Sequence, residues 1–196
     1  MTTVVVPFAG SGGKSRLEVP RRRELSLAML ADVLAAAAPV GERIVATSDE
    51  AGIALARELG AETAADPGGG QGPAVAAALS TLAVGPVLVV NADLPCAVPD
   101  DLRALAGAVP AGGLALVEAL DGTTNALGLS APSLFRPLYG RDSASRFRAL
   151  DVDTVAVVIP NLVEDVDTLA DLERLQLRCG PRTRACLSEL TTAARE

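Results

Sequence analysis

Short runs of β-branched and aliphatic residues alternate along the chain with longer stretches rich in alanine and leucine, and clusters of Gly, Pro, Asp and Asn separate them. This alternation predicts an α/β fold, a mostly parallel mixed sheet covered by helices on both faces. The apolar runs place strands at residues 2–6, 44–47, 62–65, 87–90, 114–119, 127–130 and 155–159. The stretches between them place helices at 24–38, 50–59, 73–82, 99–108 and 168–178, and Pro99 suits a first helical turn. Beyond residue 178 only a polar C-terminal segment is expected. No repeat or linker interrupts the order, so residues 1–196 read as a single domain with enough chain for one core.

In an open α/β sheet a ligand binds at the carboxyl ends of the strands. Each unusual loop of this chain falls at such an end. The loops after the first strand, at Asp66–Gly72, at Asn91–Pro95, at Asp121–Asn125 and at Glu164–Asp167 are expected to line one crevice.

Composition removes several classes of function. The absence of histidine excludes Ser-His-Asp and Cys-His nucleophilic catalysis and argues against a zinc site. Aromatic residues amount to 2% (Phe8, Phe135, Tyr139 and Phe147), too few for the stacking platforms of single-strand nucleic-acid binders. A net charge of −7 also opposes a nucleic-acid partner. Cys96, Cys179 and Cys186 form no CxxC pair and suit the reduced thiols of a cytosol. Neither a basic leader nor a long uncharged apolar stretch is present, so the reading is a soluble cytoplasmic protein with no membrane partner.

Residues 1–23 run against the acidic whole: Lys14, Arg16, Arg21, Arg22 and Arg23 face the single carboxylate Glu18. Lys14 is the only lysine in the chain. A compact ammonium enters a tight phosphate pocket as a point charge, whereas the planar guanidinium needs more room. Lys14 and Arg16, in Gly10-Ser11-Gly12-Gly13-Lys14-Ser15-Arg16, are therefore the candidate catalytic cations. Pro7, Gly10, Gly12 and Gly13 belong with them as candidate nucleotide contacts, through backbone amides suited to a triphosphate. The segment is not a Walker A loop, because its first glycine would fall at Phe8 and Pro20 interrupts the helix that should follow.

Asp93 follows the strand Val87–Val90 and emerges where the chain leaves the core, a place suited to a hard oxygen ligand for Mg2+. Asp165 and Asp167 occupy the corresponding place before the last helix and are candidate partners for the same ion, with helix capping by Asp167 as the other reading. The loop Asp66–Gly72 holds four glycines and a glutamine, which suits a wall against a planar base. Asp66, Gly70, Gln71, Gly72 and Asn91 complete the candidate nucleotide set. Asp121–Asn125 reads as a hairpin turn or as a second phosphate site built on its threonines. Tyr139–Arg146 reads as an anion site before a helix or as an ordinary capped helix.

Taken together and in order, Val6-Pro7, Lys14-Ser15-Arg16-Leu17, Asp93-Leu94-Pro95, Gly122–Leu127, Tyr139-Gly140 with Ser143, Asp165–Thr168 and Gly180–Arg184 resemble the 2-phospho-L-lactate and phosphoenolpyruvate guanylyltransferases (CofC/FbiD) of coenzyme F-420 biosynthesis. The resemblance implies a three-layer α/β/α Rossmann-like GT-A nucleotidyltransferase fold. It implies that GTP and a small three-carbon phosphoacid are the partners, with Mg2+ held by Asp93 together with Asp165 or Asp167. It also implies that Thr124, Gly140 and Ser143 bind the phosphoacid. A homodimer is left open. Two positions depart from the family pattern: Ala9, where members often carry a second lysine, and Arg146-Phe147-Arg148, where they often carry a histidine. Phosphoenolpyruvate, 2-phospholactate and 3-phosphoglycerate therefore all stay open as acceptors. Two other readings share these features: a molybdenum-cofactor or sugar-phosphate nucleotidyltransferase of the same fold, and a non-catalytic GTP-binding subunit.

Overall fold

The computed structural model describes residues 1–10 and 21–193, and side chains as far as residue 189. Its strands are β1 (Thr2–Pro7), β2 (Gly41–Ala46), β3 (Glu62–Ala64), β4 (Val87–Val90), β5 (Leu114–Glu118), β6 (Thr124–Leu129) and β7 (Thr154–Ala156). They form one sheet in the order β3-β2-β1-β4-β6-β5-β7. Only β6 runs antiparallel to its neighbours β4 and β5, so the sheet is mixed and mostly parallel.

Successive residues of a strand point to opposite faces, and the core divides accordingly. Val4, Val6, Leu88, Val90 and Val117 face α1 (Arg22–Ala37), α2 (Glu50–Glu58), α4 (Pro99–Gly107) and α6 (Pro160–Val163). Val5, Val87, Val89, Leu116 and Leu127 face α3 (Gln71–Leu79) and α5 (Ser143–Arg148). Three layers result. A smaller third cluster joins Leu25 and Met29 of α1 to Cys96, Val166, Cys179 and the apolar side of α7 (Leu169–Leu175).

Three elements differ from the sequence reading. β6 begins at Thr124, so Thr124 and Asn125 are buried strand residues and not part of the turn. Their partners come from afar: the Thr124 hydroxyl meets that of Ser143 at 3.0 Å, and Asn125 Nδ2 donates to the Leu162 and Val163 carbonyls, while Asn125 Oδ1 is buried without a partner among the described residues. The edge strand β7 stops at Ala156; Val158 is exposed, and Pro160 opens α6 where the strand was expected to finish. The last long helix is not residues 168–178 but α8 (Pro181–Ala193). Asp32, buried in α1, accepts from the amides of Arg182 at 3.1 Å and Thr183 at 2.8 Å and so caps α8 from another helix. Just before it, the Gly180 amide donates to the Pro95 carbonyl at 2.7 Å.

Candidate active site

The carboxyl ends of β1, β3 and β4 lie on the same side of the sheet, with β2 between β3 and β1, and a cavity of about 430 Å³ opens there. Pro7, Phe8 and Ala9 line it from β1, and Asp66, Gly70 and Gln71 from the loop after β3. Asn91, Ala92 and Asp93 line it from β4, while Ser26 and Met29 of α1 and Ala74 of α3 complete the wall. Pockets for small ligands fall in this size range and are mostly apolar with a few placed polar groups.

Asp93 also belongs to a cluster. Asp93, Asp165 and Asp167 each bring one carboxylate oxygen to within 4.8 Å of the others. Val166 produces the convergence: it is fully buried in the third cluster, and its amide donates to the Asp93 carbonyl at 3.1 Å. Its two neighbours in sequence flank it and reach the carboxylate of Asp93. Thr168, not Asp167, caps α7, its hydroxyl accepting from the Asp171 amide. The Asp171 carboxylate in turn accepts from the amides of Asp167 and Thr168 and from the Thr168 hydroxyl. The capping alternative for Asp167 is thereby corrected. Glu164, one residue before Asp165, pairs with Arg174 and with Arg178 at 3.0 Å, which ties this segment to α7 and the turn after it. Three crowded carboxylate oxygens fit a hard dication that takes oxygen ligands, so the donor set suits Mg2+.

A second polar group adjoins the first. Asn91 lies at the end of β4 and donates through Nδ2 to the Thr124 carbonyl at 3.2 Å. Its Oδ1 accepts from Gln71 Nε2 at 2.5 Å. Thr124 and Ser143 are buried together, and the Ser143 amide donates to the Gly140 carbonyl at 3.1 Å. Thr124, Gly140 and Ser143 are thus gathered at one place, with Gly140 exposed at φ 110°. Tyr139 packs edge-on against Phe147 with ring centres 5.6 Å apart. Its hydroxyl is buried and has no hydrogen-bond partner among the described residues. Burial pushes its pKa up, and the phenol stays protonated. Beneath the Asp93 loop the Cys96 and Cys179 thiols face each other; the hydrogen bond to Cys96, and then burial, push the Cys179 thiol up.

Two sequence candidates point elsewhere. Gly72 does not line the cavity: a side chain there would stand 2.9 Å from Cβ of Pro137, so its smallness lets α3 press against the segment before α5. Gly10 turns toward Asp49, which pairs with Arg23 at 3.3 Å, and it also lies off the cavity wall. Gly12, Gly13, Lys14 and Arg16 lie outside the described residues. Ser26, Met29 and Ala74 line the cavity without any sequence signal, because an apolar helix face looks alike whether it meets a core or a ligand.

Residues 10–150 match the MobA-like NTP transferase domain. The chain is 36% identical over 193 residues to the phosphoenolpyruvate guanylyltransferase of Nocardia farcinica, spanning 92% of this chain and 85% of that protein. It is also 36% identical over 208 residues to the phosphoenolpyruvate guanylyltransferase of Streptomyces coelicolor, spanning 97% and 98%. Its fold superposes on a crystal structure from Desulfovibrio desulfuricans G20, described as a nucleotide-diphospho-sugar transferase, with a TM-score of 0.77 at 18% identity, covering 99% of this chain and 96% of that one. The sheet is therefore that of the GT-A nucleotidyltransferases. With the similarity running through nearly all of its length, this chain belongs to the phosphoenolpyruvate guanylyltransferase family, built on the MobA-like NTP transferase domain.

Proposed function

We propose that this chain transfers the guanylyl group of GTP to the phosphate of phosphoenolpyruvate in coenzyme F-420 biosynthesis, with Mg2+ as cofactor. The observation that carries the proposal is the three-carboxylate cluster at the edge of a ligand-sized cavity, on the sheet edge where the fold places its ligands. The names of the relatives at 36% identity favour phosphoenolpyruvate among the acceptors.

In the reaction, a phosphate oxygen of the acceptor forms a bond to the α-phosphorus of GTP. The bond from that phosphorus to the bridging oxygen breaks, and pyrophosphate leaves with the electron pair. The attacking phosphate is already ionised at neutral pH, so no side chain has to remove a proton, and a chain without histidine suffices. Asp93, Asp165 and Asp167 would hold Mg2+, which when bound supplies charge neutralisation to the phosphates. Lys14 and Arg16 would steady the triphosphate and the departing pyrophosphate. The cavity between α1, β1 and the Asp66–Gln71 loop would seat the nucleoside. Thr124, Gly140 and Ser143, joined to Asn91 through the Thr124 carbonyl, would hold the phosphoacid beside the nucleotide, and rate would come from that positioning.

The test is pyrophosphate release from GTP, with and without Mg2+, offering phosphoenolpyruvate, 2-phospholactate and 3-phosphoglycerate separately. Magnesium-dependent turnover with phosphoenolpyruvate is expected. Turnover with another acceptor alone would replace the substrate, and silence with all three from protein that binds GTP would favour the non-catalytic reading.

A further inference from the structure

Among the described residues, the polar side chains that line the cavity are held in set orientations by bonds of their own. The Ser26 hydroxyl donates to the Arg22 carbonyl at 3.0 Å. Asp66 uses Oδ1 to accept the Gly68 amide at 2.8 Å, which leaves Oδ2 as an acceptor. The remaining polar pair is fixed by logic as well as by distance. The Thr124 carbonyl can only accept, so the atom of Asn91 that meets it must be Nδ2. Asn91 therefore turns Oδ1 to Gln71, and Gln71 must answer with Nε2. An amide is ordinarily ambiguous between its two orientations, but one backbone carbonyl here sets two amides in series. The outcome is that Gln71 Oε1, on a side chain lining the cavity, is held as an acceptor with no partner among the described residues.

We propose that Gln71 Oε1 selects guanine over adenine by accepting a hydrogen bond from the Watson–Crick edge of the base. Guanine presents N1–H and a 2-amino group along that edge, both donors. At those two positions adenine presents a lone pair at N1, which a fixed acceptor repels, and a C2–H; its one edge donor, the 6-amino group, stands where guanine carries the O6 acceptor. Three glycines with positive φ, Gly68 to Gly70, bring the loop into α3 directly before Gln71, so its position is set by backbone. The inference rests on the guanylyltransferase reading, because it assigns the base that the same site holds.

Two measurements test it. Gln71→Leu keeps much of the side-chain volume and removes the acceptor; a thermal melt establishes that it folds. The ratio of kcat/KM for GTP to that for ATP should fall roughly 10- to 100-fold in Gln71→Leu, the scale of one directed contact to a base edge. Calorimetric titration of GTP and ATP without phosphoacid should show the same collapse in the Kd ratio. The second measurement leaves the protein unaltered: 1-methyl-GTP, which lacks N1–H, should bind the wild type at least about tenfold more weakly than GTP. An unchanged nucleotide ratio in Gln71→Leu, or undiminished binding of 1-methyl-GTP, would overturn the inference while the guanylyltransferase reading stands. A wild-type enzyme without preference for GTP would overturn both.

Discussion

Replacing Asp32 by asparagine would exchange one carboxylate oxygen for an NH2 group and should unfasten the C-terminal helix. The buried carboxylate receives the Arg182 amide on one oxygen and the Thr183 amide on the other, at 3.1 and 2.8 Å. An asparagine keeps one acceptor and turns an NH2 toward the other amide, so one buried donor loses its partner. Hydrogen bonds to a charged group are worth roughly 1.5–3 kcal/mol each, and a buried unsatisfied donor costs about 1–3 kcal/mol. The expected loss is about 3 kcal/mol for Asp32→Asn, and more for Asp32→Ala, which leaves both amides orphaned. For a chain of this size that corresponds to a drop in Tm of about 6–12 °C. Urea denaturation followed by circular dichroism measures the first figure and a thermal scan the second. Labelling of the thiols beneath the same junction, Cys96 and Cys179, should accelerate in the variant, since Gly180 is tied to Pro95 directly above them. A loss below about 1 kcal/mol, or an alanine variant as stable as the asparagine one, would refute a capping role for this residue.

Asp93→Asn should lower pyrophosphate release by about 10²-fold or more while leaving Tm within about 2 °C; near-normal turnover would remove the proposed ion site. Lys14→Ala should slow turnover by a similar factor, and Lys14→Arg should recover little of it, because the guanidinium is a different shape and not only a different base. Full recovery by arginine would contradict the point-charge reading of this position. Gly72→Ala forces a methyl to within 2.9 Å of Pro137 and should cost about 1–3 kcal/mol by overpacking, read from the urea midpoint. In native protein, a disulfide reagent near neutral pH should modify half-buried Cys186 before Cys96 and Cys179; burial pushes the Cys186 thiol up, so its labelling should rise with pH through the alkaline range. Equal rates for the three would show that the Cys96 and Cys179 pair is not sheltered.

The alternation of apolar runs was enough to place the parallel half of the sheet, because Val4–Val6 and Val87–Val90 are buried on both faces and carry no periodic ambiguity. It was also enough to expect Asp93, Asp165 and Asp167 together, although Asp165 and Asp167 arrive after α6 and not straight from a strand, and the buried Val166 fixes them beside Asp93. What local sequence could not show were features set by distant partners. Thr124 and Asn125 look like turn residues until Ser143 and the carbonyls of α6 give the Thr124 hydroxyl and the Asn125 Nδ2 their partners inside the sheet. α8 reads as a polar tail because one of its principal attachments, Asp32, lies about 150 residues earlier. Thr168 displaced Asp167 as the helix cap because Asp171 stands three residues on and completes a reciprocal capping box.

The bridge between the two halves of the site has a consequence for divergence. Asn91 reaches across to β6 by grasping the carbonyl of residue 124, and β4 and β6 are otherwise joined through backbone pairing. Any amino acid at position 124 supplies that carbonyl. The orientation of Asn91, and through it that of Gln71, is therefore insensitive to which side chains the acceptor half carries. With Thr124, Gly140 and Ser143 holding the acceptor as proposed, substitutions among residues 124–148 would change the partner molecule while the nucleotide half keeps its settings, so new acceptors would be explored one side chain at a time without relearning how to hold the donor.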